Sequence, residues 1–127
     1  QNETLWEIAS QIIAEQTKSI ENMKSILCSC TRLENPPEAV CRYQRHMNDI
    51  MSAMFDRMRR ARATRRVDCD FLREMLPHHK GAVEMASITL QSDICPELVP
   101  ILQAIITSQE TGIAQMEALA ASLRCRC

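Results

Sequence analysis

Glycine and aromatic residues are nearly missing from this chain, whose 127 residues include two Gly, one Trp, one Tyr and two Phe. Sheets draw on aromatic and β-branched residues punctuated by glycine turns, so the shortage argues against an all-β domain. Charge of one sign is missing too: 15 Lys+Arg face 16 Asp+Glu, a net charge of -1. That balance disfavours a nucleic-acid binder, which works by neutralising phosphates. No apolar run reaches the roughly 18 residues of a membrane span. There is no Gly-rich phosphate loop, no Gly-x-Ser-x-Gly and no His-Glu-x-x-His. Nor is there a Glu-x-x-His of the kind di-iron carboxylate bundles require, which argues against ferroxidase chemistry and leaves no recognisable set of catalytic groups. The Gln1-Asn2-Glu3 start has neither an initiator Met nor the basic and apolar regions of a signal peptide, and reads as a mature or trimmed chain.

What is present is 46% hydrophobic residues, eight Met and seven Cys. The length suits one soluble domain over residues 1–127, able to bury roughly two-thirds of its unfolded surface. Apolar residues recur at helical spacing in four stretches, predicting helices over about 4–30, 38–62, 69–91 and 96–124. Asn35-Pro36-Pro37 breaks the first from the second, Asp68 reads as the N-cap of the third, and Pro96 opens the fourth. The Arg-rich stretch from Arg57 to Arg66 reads as a solvated helix end and linker. Four amphipathic helices with short connections predict an all-α fold, an antiparallel up-down four-helix bundle.

An internal echo accompanies these helices. Ile12-Ile13-x-x-Gln16-x-x-x-Ile20-x-x-Met23 returns as Ile105-Ile106-x-x-Gln109-x-x-x-Ile113-x-x-Met116, and Cys41-x-Tyr43-x-Arg45-x-Met47 returns as Cys69-x-Phe71-x-Arg73-x-Met75. The order A, B, B′, A′ predicts a pseudo-two-fold axis across the bundle. The same topology gathers Cys28, Cys30, Cys41 and Cys95 at one end and Cys69, Cys125 and Cys127 at the other. Disulfides stapling helix ends are one reading, with an odd thiol that allows a linked homodimer; soft-metal thiolate sites are the other. So many cysteines suit an exported domain, secreted or held in the cell envelope.

The segment Met75-Leu76-Pro77-His78-His79-Lys80-Gly81-Ala82-Val83-Glu84-Met85 is the chemically unusual one. Met75 with His79, and His78 with Ala82 and Met85, form two neighbouring rows on one side of a helix. Pro77 predicts a kink one turn before the histidines, and Gly81 and Ala82 predict free space opposite. Met116 from the fourth helix and Met47, Met51 or Met54 from the second are in reach of such a site. Thioethers select Cu(I), while imidazole accepts copper or zinc, so the set reads as copper first and zinc second. The plain alternative is that these Met fill the core and the histidines are hydrogen-bonded there. His46 is a separate candidate with an exposed alternative. Gln16 and Gln109 read as a buried amide pair that fixes register, or as donors to a ligand.

Asp68-x-Asp70-Phe71-Leu72-x-x-Met75-Leu76-Pro77-His78-His79-x-Gly81-Ala82-Val83-x-Met85-Ala86, followed by Pro96-Glu97-Leu98 and the Ile105 to Met116 motif, resembles the bacterial family known as domain of unknown function 305. The likeness covers about Tyr43 to Leu123. It implies a ferritin-like four-helix bundle, commonly exported, with copper bound by Met and His in some members. Carried over by resemblance, Met75, His78, His79, Met85 and Met116 are the metal ligands. The family usually has Glu where this chain has Gly112, and its cysteines are fewer. The expectation is a protein that binds or sequesters Cu(I) without catalysing a reaction. Its rival is a structural or interaction module held by disulfides.

Overall fold

Helix starts and stops follow local chemistry. A computed structural model describes residues 2–30 and 33–125 and places helix α1 at Glu3–Ser29, α2 at Pro37–Arg60, α3 at Val67–Leu90 and α4 at Val99–Ser122. The Asn2 side chain caps α1 by accepting the Leu5 N–H at 3.1 Å. Pro37 starts α2, where its missing N–H costs nothing, and Arg57, Arg59 and Arg60 fill that helix's last turn, where cations suit the dipole. Between α2 and α3 the chain turns through Arg65, whose φ of 65° lies in the left-handed region.

Two expected starts are corrected. Asp68 is not the N-cap of α3: the helix begins two residues earlier than that cap implies, at Val67 after Arg66, and Asp70 does the anchoring. Its Oδ1 accepts both the Thr64 N–H and the Thr64 hydroxyl at 2.7 Å, fastening the incoming turn. Pro96 opens a single 3-10 turn, Pro96–Leu98, before α4 begins at Val99.

The described residues form an all-α bundle. Cys69 at the start of α3 is disulfide-bonded to Cys125 just beyond α4, with Cα atoms 5.5 Å apart, and Cys30 at the end of α1 to Cys95 ahead of α4, at 6.3 Å. The Tyr43 hydroxyl near the start of α2 meets Thr89 Oγ1 near the end of α3 at 3.0 Å. Since Thr89 spends its own proton on the Met85 carbonyl at 2.8 Å, Tyr43 is the donor. These links run α3 against α4, α1 against α4 and α2 against α3, each pair antiparallel. The described cysteines divide between the bundle ends as the helix order predicted. Four of them are spent in disulfides, which overturns thiolate metal sites built on those four; Cys28 and Cys41 are exposed thiols, and Cys127 lies outside the described residues.

Packing is uneven. The α3–α4 contact is the largest and α2–α3 the next, whereas α1 lies mainly on α4, touches the Pro96–Leu98 turn and hardly meets α2. The core gathers Ile8, Leu72, Met116 and Leu119, with Leu5, Ile12, Phe71, Met75 and Leu76 against it, at the end where α1 and α3 begin and α4 finishes. Each such side chain withdrawn from water contributes about 1.5–3 kcal/mol. Toward its C-terminus α1 buries nothing fully, since Ile8 is its one buried residue.

Candidate metal centre

The Met/His segment sits in the middle of α3, which runs unbroken across Pro77. Proline has no N–H to give the Arg73 carbonyl, so one rung of the helical ladder is missing there. The Arg73 side chain points the other way along the bundle and donates from Nη1 to the Arg62 carbonyl at 2.8 Å.

His79 is almost completely buried. Its Nδ1 lies 3.0 Å from the Met75 carbonyl oxygen, which can only accept, so Nδ1 carries the proton. In the neutral ring Nε2 then keeps a free lone pair. Burial pushes the pKa of His79 below its ordinary 6.5; the Met75 carbonyl and the Glu15 carboxylate partly offset this, and His78 adds to it. The ring is therefore neutral at pH 7, the form a metal ligand requires.

The room for that ring comes from Gly112 of α4. A Cβ placed there would stand 3.2 Å from His79 Cδ2 and 3.4 Å from Nε2, closer than packed carbons normally sit. Gly81 behaves otherwise: the free space expected opposite it is filled, because Met54 of α2 lies over it with Sδ 2.7 Å from where a Cβ would be.

The His79–Gly112 contact sets the register of the antiparallel pair. Met75 lies one turn before His79 and Met116 one turn after Gly112, so the two thioethers come level in the α3–α4 seam. Both belong to the core around Leu72 and Leu119, and Met116 is fully buried. Met75, His79 and Met116 thus share one seam. His78 and Met85 occupy the other row, roughly 100° round the helix on the side of Gly81, where Met54 is seated. The rings of His78 and His79 meet edge-on, with centroids 5.9 Å apart. The five expected ligands therefore fall into two adjoining groups, Met75, His79 and Met116 in the α3–α4 seam and His78 and Met85 on the side toward α2.

Two buried polar atoms at this level have no hydrogen-bond partner, His78 Nδ1 and Gln109 Oε1. Gln109 precedes Gly112 by one turn. Its orphaned oxygen means that the register-fixing pair with Gln16 does not form through that atom. Buried polar atoms are normally satisfied, and these two are not. Among the described residues no group of three or more His, Cys, Asp or Glu is placed to hold a metal ion. A metal centre here requires thioether ligands.

Two neighbours of the site were not singled out from the sequence as such, Glu15 and Gly112 as a space-maker, whereas Met54 was expected within reach and lies over Gly81. Glu15 continues the Ile8 and Ile12 row at helical spacing, a signal that was there to be read. His46 is exposed, as one of its two readings had it, and lines a separate cleft of about 740 Å³ with Val40, Tyr43, Ile88 and Asp93. None of the five expected ligands lines that cleft. No helix is long and apolar enough to cross a membrane among the described residues.

The family described as domain of unknown function DUF305 matches residues 1–120, and the chain belongs to it. The match extends across α1 as well as the stretch from Tyr43 onward. No curated protein and no solved structure matches the chain.

Proposed function

We propose that this member of the DUF305 family binds Cu(I) with the thioethers and imidazoles of the α3–α4 seam, buffering or sequestering the ion without catalysis. The observation that carries the reading is His79: buried, neutral, its Nδ1 proton committed to the Met75 carbonyl and its Nε2 edge turned to Gly112, one turn along the seam from the level pair Met75 and Met116. Met75, His79 and Met116 would hold the ion, with His78 and Met85 from the adjoining row as further ligands. Thioether donors select the soft monovalent ion, and zinc is the weaker fit because it favours thiolate, imidazole and carboxylate. Two disulfides support an oxidising compartment, in keeping with a secreted or envelope-held protein. A homodimer completes the proposal.

Anaerobic titration with Cu(I) against a weak competing chelator tests it. The expected result is about one tightly held ion per chain, lost in a His78→Ala/His79→Ala variant that keeps its helical circular dichroism and both disulfides. Failure of the unmodified protein to compete for Cu(I) would overturn it.

The two disulfides, together with the hydrogen-bonded state of His79, favour a second reading as a non-catalytic structural or interaction module. In that case the double histidine variant loses stability alone, and metal is bound by neither protein.

A further inference from the structure

We infer that the outer face of α1 is the self-association surface of this protein, where a second copy packs antiparallel along the line Trp6, Ile13, Ile20 and Leu27. This deepens the homodimer reading above and is independent of copper.

The four residues recur at seven-residue intervals, the spacing that keeps apolar side chains on one side of paired helices. They are 64%, 68%, 47% and 80% exposed. Helix α1 is not free to turn them inward. Ile8, with Leu5 and Ile12 beside it, holds its first turns in the core, and Cys30 is bonded to Cys95 at its other end. Among the described residues nothing covers this face.

Area and charge identify the occupant. A compact monomer of 14.5 kDa is expected to expose about 6,900 Å². This chain exposes 8990 Å². The excess of roughly 2,000 Å² is more than twice the ~800 Å² that each partner gives to a stable dimer. Along α1, Glu3 and Glu7 occupy the first turns and Lys18 and Lys24 the second half, with Glu21 between the two lysines; Glu15 belongs to the inner row toward His79. A parallel pair sets like charges side by side; an antiparallel pair brings Glu7 of one copy toward Lys24 of the other. A two-fold axis midway between Ile13 and Ile20 matches Trp6 to Leu27 of the second copy and repeats every contact, as an isologous interface must.

Trp6, the sole tryptophan, is the reporter. Sedimentation and fluorescence would be followed across a dilution series of the full chain, with non-reducing electrophoresis of the same samples. The expected result is a doubling of mass with concentration, accompanied by a blue shift of Trp6 emission. Ile13→Glu/Ile20→Glu should stay monomeric and red-emitting and melt as the diluted, monomeric parent does, since both positions are exposed in the single chain. A monomer at every concentration, blue-emitting or red, would overturn the inference. So would a dimer that survives the double substitution, or one that exists only as a disulfide-linked species. None of these outcomes depends on Cu(I), so the interface and the copper reading fail separately.

Discussion

Helices α1 and α4 carry nearly the same motif and have opposite fates. Met116 is 0% exposed and Met23, its counterpart in the repeat, is 36% exposed; Gln109 is buried and Gln16 only half so. The difference lies in the partner helix. Helix α4 has α3 along its length, whereas α1 and α2 hardly touch, so only one half of the A, B, B′, A′ pattern closes into a seam. A hydrophobic stripe specifies that a face seeks cover and does not specify which surface supplies it.

Substitutions at matched positions measure how deep this asymmetry runs. The largest effect is expected at the disulfides. Loops of 56 and 65 residues should each contribute about 4 kcal/mol by the chain-entropy account. Denaturant unfolding of Cys69→Ser/Cys125→Ser should show a global loss. Cys30→Ser/Cys95→Ser should in addition free the C-terminal turns of α1 to fast amide exchange, because little else holds them.

Next in size is Met116→Ala, which empties a sealed core position and should cost about 3 kcal/mol in the metal-free protein. Met23→Ala should cost less than about 0.5 kcal/mol at protein concentrations where the chain is monomeric. Equal losses in chemical denaturation would mean that α1 is buried after all. Smaller again is the contrast between Gly112→Leu and Ser19→Leu. The first drives a side chain into His79 and should cost about 2 kcal/mol, and the second, on the open helix, should be close to neutral.

Acid sharpens the comparison through a single group. Because the folded pKa of His79 lies below 6.5, the unfolded chain takes up the proton first as pH falls. The contribution of His79 to stability is complete above about pH 6.5 and is lost as the pH drops toward its folded value. Thermal melts of the metal-free protein from pH 8 to 5 should show this fall, and it should be reduced in His79→Gln.

Much of this was legible in the sequence. Periodicity found all four helices, and the helix order assigned each described cysteine to its end of the bundle before any pairing was known. Missed caps have a physical reason: Asp68 and Asp70 both precede the apolar stripe, and only the position of Thr64 decides which carboxylate is used. The histidine rows were visible from spacing, but their division between α4 and α2 depends on a helix register that no single helix encodes. Gly112 read as a gap in a family pattern, and its meaning emerged only with His79 against it. The openness between α1 and α2 was unreadable for the same reason, since the repeat describes faces and not their neighbours.

The most direct test of the central claim is the nitrogen NMR spectrum of the histidine rings at pH 7, recorded anaerobically before and after one equivalent of Cu(I). The account predicts that His79 is neutral with its proton on Nδ1, and that its Nε2 signal moves on addition of the ion while that of exposed His46 does not. A proton on Nε2, or an Nε2 signal that Cu(I) leaves in place, would contradict it.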